Sequence, residues 1–216
     1  MTYLLRLVAY LFLCVSLNSF GALYDRGNGL IYDDVLDITW LQDANYAKTS
    51  GYDPDGAMNW YDAQDFVDEL AYGDYNNWRL PSAGNATVGY NEITSELGHM
   101  FYINLNNPGG FNCPPLMYAP TGYSCESANS GLHNTSFTDA TLGGSNESFV
   151  NVEVADYWHS NSWVFSHYDG FLHLYAPLDT DIGVYIWPVH DGDIGLAPVP
   201  LPAGIYLFLS GLVGLG

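Results

Sequence analysis

The sequence predicts an α+β domain in which two helices pack on mainly antiparallel short strands, with long irregular loops between them. Three observations carry this expectation. Short runs of β-branched and aromatic residues lie at both ends of the domain, within 23–41 and 157–189. Between them, residues 59–72 carry an apolar face at helical spacing. A long stretch rich in Gly, Asn, Ser and Pro, 103–148, then separates the helices from the later strands. Strands, helices and strands in that order give segregated layers rather than a βαβ alternation.

In chain order, Leu23-Tyr24-Asp25 and Leu30 to Asp34 read as strands around the turn Arg26-Gly27-Asn28-Gly29. Val35 to Leu41 follows, with Leu36, Ile38, Trp40 and Leu41 as core contributors. Asp43 to Gly56 reads as loop, because Asn, Gly, Asp and Pro crowd it. Asn59 to Tyr72 is the clearest helix: Ala63, Phe66, Val67, Leu70 and Ala71 share a face, Asn59 is its N-cap and Gly73 its stop. Its Asp62, Asp65, Asp68 and Glu69 read as a solvated face. A second helix is expected from about Asn91 to Tyr102, with Ile93, Leu97, Met100 and Phe101 inward. Tyr157 to Ser160, Trp163 to His167, Phe171 to Tyr175 and Val184 to Val189 read as strands, the last ended or placed at an edge by Pro188.

Composition narrows the function classes. The chain of 216 residues holds 24 acidic against four basic residues, a formal net charge of −20. It has no basic footprint for phosphates, so nucleic acid is excluded as a partner. Residues 1–22 read as a secretory signal, with Arg6 ahead of the apolar run Leu7 to Val15 and small residues up to Ala22. The domain is expected over 23–193, a Pro-rich linker over 194–203, and a truncated hydrophobic sorting or transmembrane segment over 204–216. In an exported chain Cys113 and Cys125 read as a disulfide closing a small loop, with a metal pair or reactive thiol as the other reading.

The block Trp78-Arg79-Leu80-Pro81 reads as a structural pin. Trp78 is an apolar anchor, Pro81 fixes the backbone, and the planar fork of Arg79 suits bidentate pairing with a carboxylate. Together with Gly29-Leu30-Ile31-Tyr32, Trp40-Leu41, Asn59-Trp60, Tyr157-Trp158-His159-Ser160 and Ile186-Trp187-Pro188-Val189-His190, this block resembles a bacterial Trp-Arg-Leu-Pro domain of unknown function, over about residues 23–193. A relative of that domain is the C-terminal domain of a collagen-like adhesin. The resemblance implies a fold similar to the C-type lectin and formylglycine-generating-enzyme group. The usual late arginine is here Trp187, and with so few basic residues a sulfated polysaccharide is disfavoured as ligand. Ala197-Pro198-Val199-Pro200-Leu201-Pro202-Ala203 resembles a PEP-CTERM sorting signal, which implies processing by an exosortase and a cell-surface, outer-membrane-associated or extracellular location.

Several groups are candidates for chemistry. Asp53, Asp55, Asp179, Asp181, Asp191 and Asp193 form Asp-x-Asp pairs in turn-like contexts and are candidate calcium ligands, with solvated acidic loops as the plain alternative. His167 and His173 flank an expected hairpin, without metal-ligand spacing behind them. No Gly-x-Ser-x-Gly or phosphate loop is present, and the chain is read as a non-enzyme. Tyr118 and Tyr123 are candidate ligand contacts for a carbohydrate. The expected function is an exported, surface-associated or matrix binding module for a carbohydrate or other surface polymer. A self-associating structural matrix protein is the first alternative, and a formylglycine-generating-type enzyme, which needs free thiols, the second.

Overall fold

The computed structural model describes residues 23–109, 134–138, 146–174 and 183–195. The expected signal and sorting segments, Cys113, Cys125, Tyr118, Tyr123, Asp179 and Asp181 lie outside the described residues. Among those described, no helix is long and apolar enough to cross a membrane.

The domain is α+β. Its first sheet joins β1 (Leu23–Asp25), β2 (Leu30–Asp33) and β3 (Ile38–Leu41) to a strand from the far end of the chain, β11 (Val189–Asp191), in the order β1-β2-β3-β11 and antiparallel throughout. The second sheet contains β4 (Ala57–Met58), β7 (Asp156–Trp158), β8 (Trp163–Ser166), β9 (Leu172–Leu174) and β10 (Val184–Tyr185), in the order β4-β10-β7-β8-β9. Only its β10–β7 pair is parallel. A small hairpin pairs β5 (Ser136–Thr138) with β6 (Asn146–Ser148).

Residues 184–189 were expected as one strand, and here the structure differs. The run divides into β10 and β11, which belong to different sheets. Pro188 lies at the division, where a residue without an N–H does least damage to a ladder, and its carbonyl still accepts from the Leu41 amide at 3.3 Å. Trp187 is fully buried beside it, donates its indole N–H to the Leu41 carbonyl at 2.8 Å, and meets Trp40 at 5.2 Å and Phe149 at 4.9 Å between ring centres. This position is an apolar junction, so a charged side chain would be buried here without a partner.

The helices are shorter than the apolar spacing predicts. After α1 (Tyr46–Thr49), which interrupts the expected loop, α2 runs Trp60–Glu69. The Asn59 side chain caps α2 by accepting from the amides of Tyr61 and Asp62. Ala63, Phe66 and Val67 are buried on its inner face. Leu70 turns extended, enters the core from outside the helix, and leaves Ala71 exposed. The second expected helix reduces to α3 (Glu96–His99) and one π-helical turn, Met100–Asn104. It begins later than expected because Ser95 is its N-cap, accepting from the Gly98 amide at 3.0 Å, while the Glu92 carboxylate accepts from the Thr94 amide in the turn before it. Leu97, Met100 and Phe101 are buried as expected, whereas Ile93 is exposed. Gly98 is obligatory here: a Cβ would lie 1.9 Å from the Glu92 carbonyl oxygen.

Two apolar clusters result. One contains Ile31, Trp40, Phe101, Tyr157, Phe165, Trp187 and Val189; the other packs α2 with Leu30, Leu41, Trp78, Leu80, Trp158 and Val164. The Trp-Arg-Leu-Pro block joins them to the polar frame. Arg79 pairs through its backbone with Val189 on the outer side of β11, at 2.9 and 3.0 Å. Its guanidinium uses both terminal nitrogens on Glu96, at 2.8 Å each, and reaches Asp191 Oδ1 through Nε at 2.9 Å and Nη2 at 2.7 Å. A further N–H reaches the Leu80 carbonyl at 3.1 Å. Burial opposes the Arg79 charge, but Glu96 and then Asp191 outweigh it and hold the group protonated more firmly than an ordinary arginine. Glu96 also accepts from the Ser82 amide at 2.7 Å. The Pro81 carbonyl accepts from the Ser160 amide at 2.9 Å and lies 3.1 Å from His159 Nδ1. A carbonyl only accepts, so the His159 proton resides on Nδ1.

Two predictions follow from this frame. Arg79→Met or Glu96→Gln strips one partner from a mostly covered pair and is expected to cost about 2–4 kcal/mol. Asp191→Asn, at a carboxylate 77% exposed, is expected to cost under about 1 kcal/mol. Urea denaturation ranks them, and equal losses at Glu96 and Asp191 contradict the assignment. Burial, only partly offset by the Pro81 and Ser82 backbone, lowers the His159 pKa from the usual 6.5 to about 4. The unfolded chain therefore takes up a proton near pH 6.5 that the folded chain refuses until about pH 4. This group's contribution to stability declines across that window by about 3 kcal/mol in total. Stability against pH for wild type and His159→Gln should diverge there; parallel curves refute it.

Candidate functional site

An open cleft of about 370 Å³ lies where the 45–56 segment meets α2. It is lined by Tyr46, Ser50, Gly51, Tyr52, Phe66, Glu69, Leu70 and Ala71. Its shape derives from local polar closure. Asn45, buried, donates through Nδ2 to the Asp55 carbonyl at 3.1 Å and fastens the two ends of the segment together. Gly56 lets them approach, since its φ is +83° and a Cβ would lie 1.8 Å from Asn45 Oδ1. Ser50 donates to the Ala47 carbonyl, and the amides of Gly51 and Asp53 bond back to the carbonyls of Lys48 and Ala47.

This closure sets Tyr52 against Phe66, with ring centres 4.8 Å apart, while 45% of Tyr52 remains exposed. On the neighbouring wall Tyr46 meets Tyr72 edge-on at 5.1 Å, and the Tyr72 hydroxyl is anchored on the Asn28 carbonyl at 2.8 Å. Glu69, the last residue of α2, is exposed and adds a carboxylate. Burial, followed by the charges of Glu69, Asp65 and Asp62, raises the Tyr52 pKa above its ordinary value and keeps its hydroxyl protonated. The site thus offers aromatic surface, a hydroxyl donor and a carboxylate acceptor, which is equipment for holding a polar ligand with an apolar face.

The candidate calcium ligands are placed differently from one another. Asp53 Oδ1 accepts from the amides of Asp55 and Gly56 at 3.0 and 2.8 Å, and Asp55 accepts from the Ala57 amide at 3.1 Å. Burial opposes ionisation of Asp53, but the Gly56 and Asp55 amides prevail and lower its pKa. Asp191 is held by Arg79, and Asp193 by Arg26 through two bonds of 2.8 and 2.7 Å. Asp53 and Asp55 therefore form turns, while Asp191 and Asp193 act as counter-ions to arginines. Among the described residues, no three His, Cys, Asp or Glu side chains come together as a metal-holding group.

His167 and His173 pack against different aromatic partners. His167 packs on Phe101 at 5.0 Å and Tyr157 at 5.8 Å in the first core. His173 lies in register with Val164 and stacks on Phe171 at 6.0 Å. A second polar group surrounds it: Asp156 is driven towards its neutral form by burial, opposed by His173 and a hydrogen bond from Ser166, and the Tyr90 hydroxyl donates to Asp169 at 3.2 Å. At the edge of the first core, Asp33 is fully buried and accepts from the amides of Val35 and Leu36 and from Asn104. These bonds tie β2 to the π-turn. Burial raises the Asp33 pKa, while burial of His99 nearby lowers that of the imidazole.

Sequence reasoning missed Tyr46, Tyr52 and Glu69 as site residues, taking the first two for loop and the third for a solvated helix face. The available signal was two tyrosines flanking Ser50-Gly51, followed by an aromatic and an acid three residues apart on a helix. Comparison with family models, curated proteins and solved structures found no match.

Proposed function

We propose that the protein is an exported, surface-associated binding module that recognises a carbohydrate polymer through the Tyr46–Tyr52–Phe66–Glu69 cleft. The observation that carries this is the exposed Tyr52 ring seated on Phe66 beside a carboxylate. A sugar ring presents an apolar C–H face and a rim of hydroxyls. Tyrosine surface serves the first, and Glu69, Ser50 and the Tyr52 hydroxyl serve the second. The secretory segment, the Pro-rich linker and the PEP-CTERM-like Val199-Pro200-Leu201-Pro202-Ala203 run belong to the same reading, in which export is followed by exosortase processing and retention at the cell surface. A C-type-lectin-like fold agrees with short helices on mainly antiparallel strands and long intervening segments, and is part of the proposal.

Tyr52→Ala is expected to weaken binding at least about tenfold, the effect of removing an aromatic anchor from a small site. Tyr61→Ala, an equally exposed tyrosine on α2 outside the cleft, should leave affinity unchanged. Isothermal titration of both variants against a panel of neutral, amino and acidic oligosaccharides, with and without calcium, makes the comparison. A wild-type chain that binds none of them, or a Tyr52→Ala variant that binds as well as wild type, overturns the proposal.

A further inference from the structure

Resting on the carbohydrate reading of the cleft, the charge distribution specifies its chemistry further: we infer that the ligand is an amino polysaccharide bearing protonated primary amines, a de-N-acetylated hexosamine polymer. The argument begins with the carboxylate. No cationic side chain is among the described residues that line the cleft, so Glu69 faces it without a lining counter-charge. Asp62 and Asp65 precede Glu69 by seven and four residues on α2, which places three carboxylates along one stripe of the helix. Their combined field reaches the cleft, since Glu69, Asp65 and Asp62 all act on the Tyr52 hydroxyl.

Among the described residues, no basic side chain lines the cleft. Of the four basic residues, Arg26 is committed to Asp193 and Arg79 to Glu96 and Asp191. Arg6 lies outside the described residues, and exposed Lys48 does not line the cleft. A ligand carrying sulfate or uronate would enter against the charge of Glu69 and a chain of net charge −20. An N-acetylated or neutral sugar would stack on the tyrosines but gain nothing from the carboxylate stripe. A protonated amino sugar uses both: its ammonium makes a charge-assisted hydrogen bond to Glu69 and lies against tyrosine and phenylalanine faces, while its ring keeps the C–H stacking surface. A polymer of such units also gains long-range attraction to the acidic surface, which accelerates encounter.

The test titrates the full chain with three tetrasaccharides of the same β-1,4 backbone: glucosamine, N-acetylglucosamine and glucose. Conditions are about pH 5.5, where carboxylates remain ionised and the amines protonated, and about 0.15 M salt, to screen diffuse attraction. The glucosamine tetramer is expected to bind at least about tenfold more tightly than the other two. Glu69→Gln should bring all three within about threefold of one another. Tyr52→Ala should weaken all three. Glu69 is exposed and lies at the helix C-terminus, where loss of a negative charge does not harm the helix dipole. Asp68→Asn, on the same helix outside the cleft, controls for general acidity and should change nothing. If the acetylated or neutral tetramer binds as tightly as the amine, or Glu69→Gln has no effect, this inference falls while the carbohydrate reading stands. If no tetramer binds, both fall. If Asp68→Asn weakens binding as much as Glu69→Gln, or tetralysine binds as tightly as the amino sugar, the attraction is unspecific charge and the inference is overturned.

Discussion

The fold depends on one guanidinium. Arg79 has five N–H donors, and each has an acceptor: two contacts to Glu96, two to Asp191 and one to the Leu80 carbonyl. Glu96 begins α3, Asp191 ends β11, and the Arg79 backbone lies along β11 at Val189. A lysine could supply the charge but not the fixed planar fork that holds two carboxylates from different elements in one arrangement. The following residues extend the hub, as the Pro81 carbonyl receives the amide of Ser160 and the ring of His159. The start of α3, the last described strand and the β7–β8 turn are thereby assembled around the four consecutive residues Trp78-Arg79-Leu80-Pro81.

The tryptophans perform the matching task on the apolar side. Each of four indoles covers a large surface and also ends on a backbone carbonyl: Trp60 on His159, Trp78 on Tyr75, Trp158 on Met58 and Trp187 on Leu41. A buried indole N–H needs a partner, and for Trp60, Trp158 and Trp187 that partner lies about a hundred or more residues away in the sequence. Trp187 has the most consequential position, because the chain crosses there from the second sheet to the first. Burying an indole at this crossing makes it a point of core packing rather than a surface for ligands.

The cleft draws on the same organisation. Phe66 is fixed in the second core, so Tyr52 rests on a firm floor, and the 45–56 segment is closed by its own side-chain bonds rather than by packing from above. A loop stabilised from within leaves its outer face free for contact. The acidic stripe of α2 borders it, while Arg26 and Arg79 are paired with carboxylates in the frame.

Much of the fold was legible in the residues. The first three strands, the Asn59 cap, the inner face of α2 and the α+β class follow from local spacing and turn chemistry, which act over a few residues. The pairing capacity of Arg79 was also legible, because its chemistry demands carboxylates. Which carboxylates it takes was not: Asp191 is 112 residues away, and the partner of Arg26 is 167 residues away. That choice turned two candidate metal ligands into counter-ions. The cleft was hidden for the same reason. Tyr52 in a loop, Phe66 on a core face and Glu69 on a solvated face each have an ordinary local reading, and only the closure of the 45–56 segment against α2 brings them together. The final strand divides because Trp187 finds its buried place between two sheets, and that place exists only after both sheets have formed. Local sequence thus determined the elements and their chemistry, while long-range packing decided the partners and therefore the site.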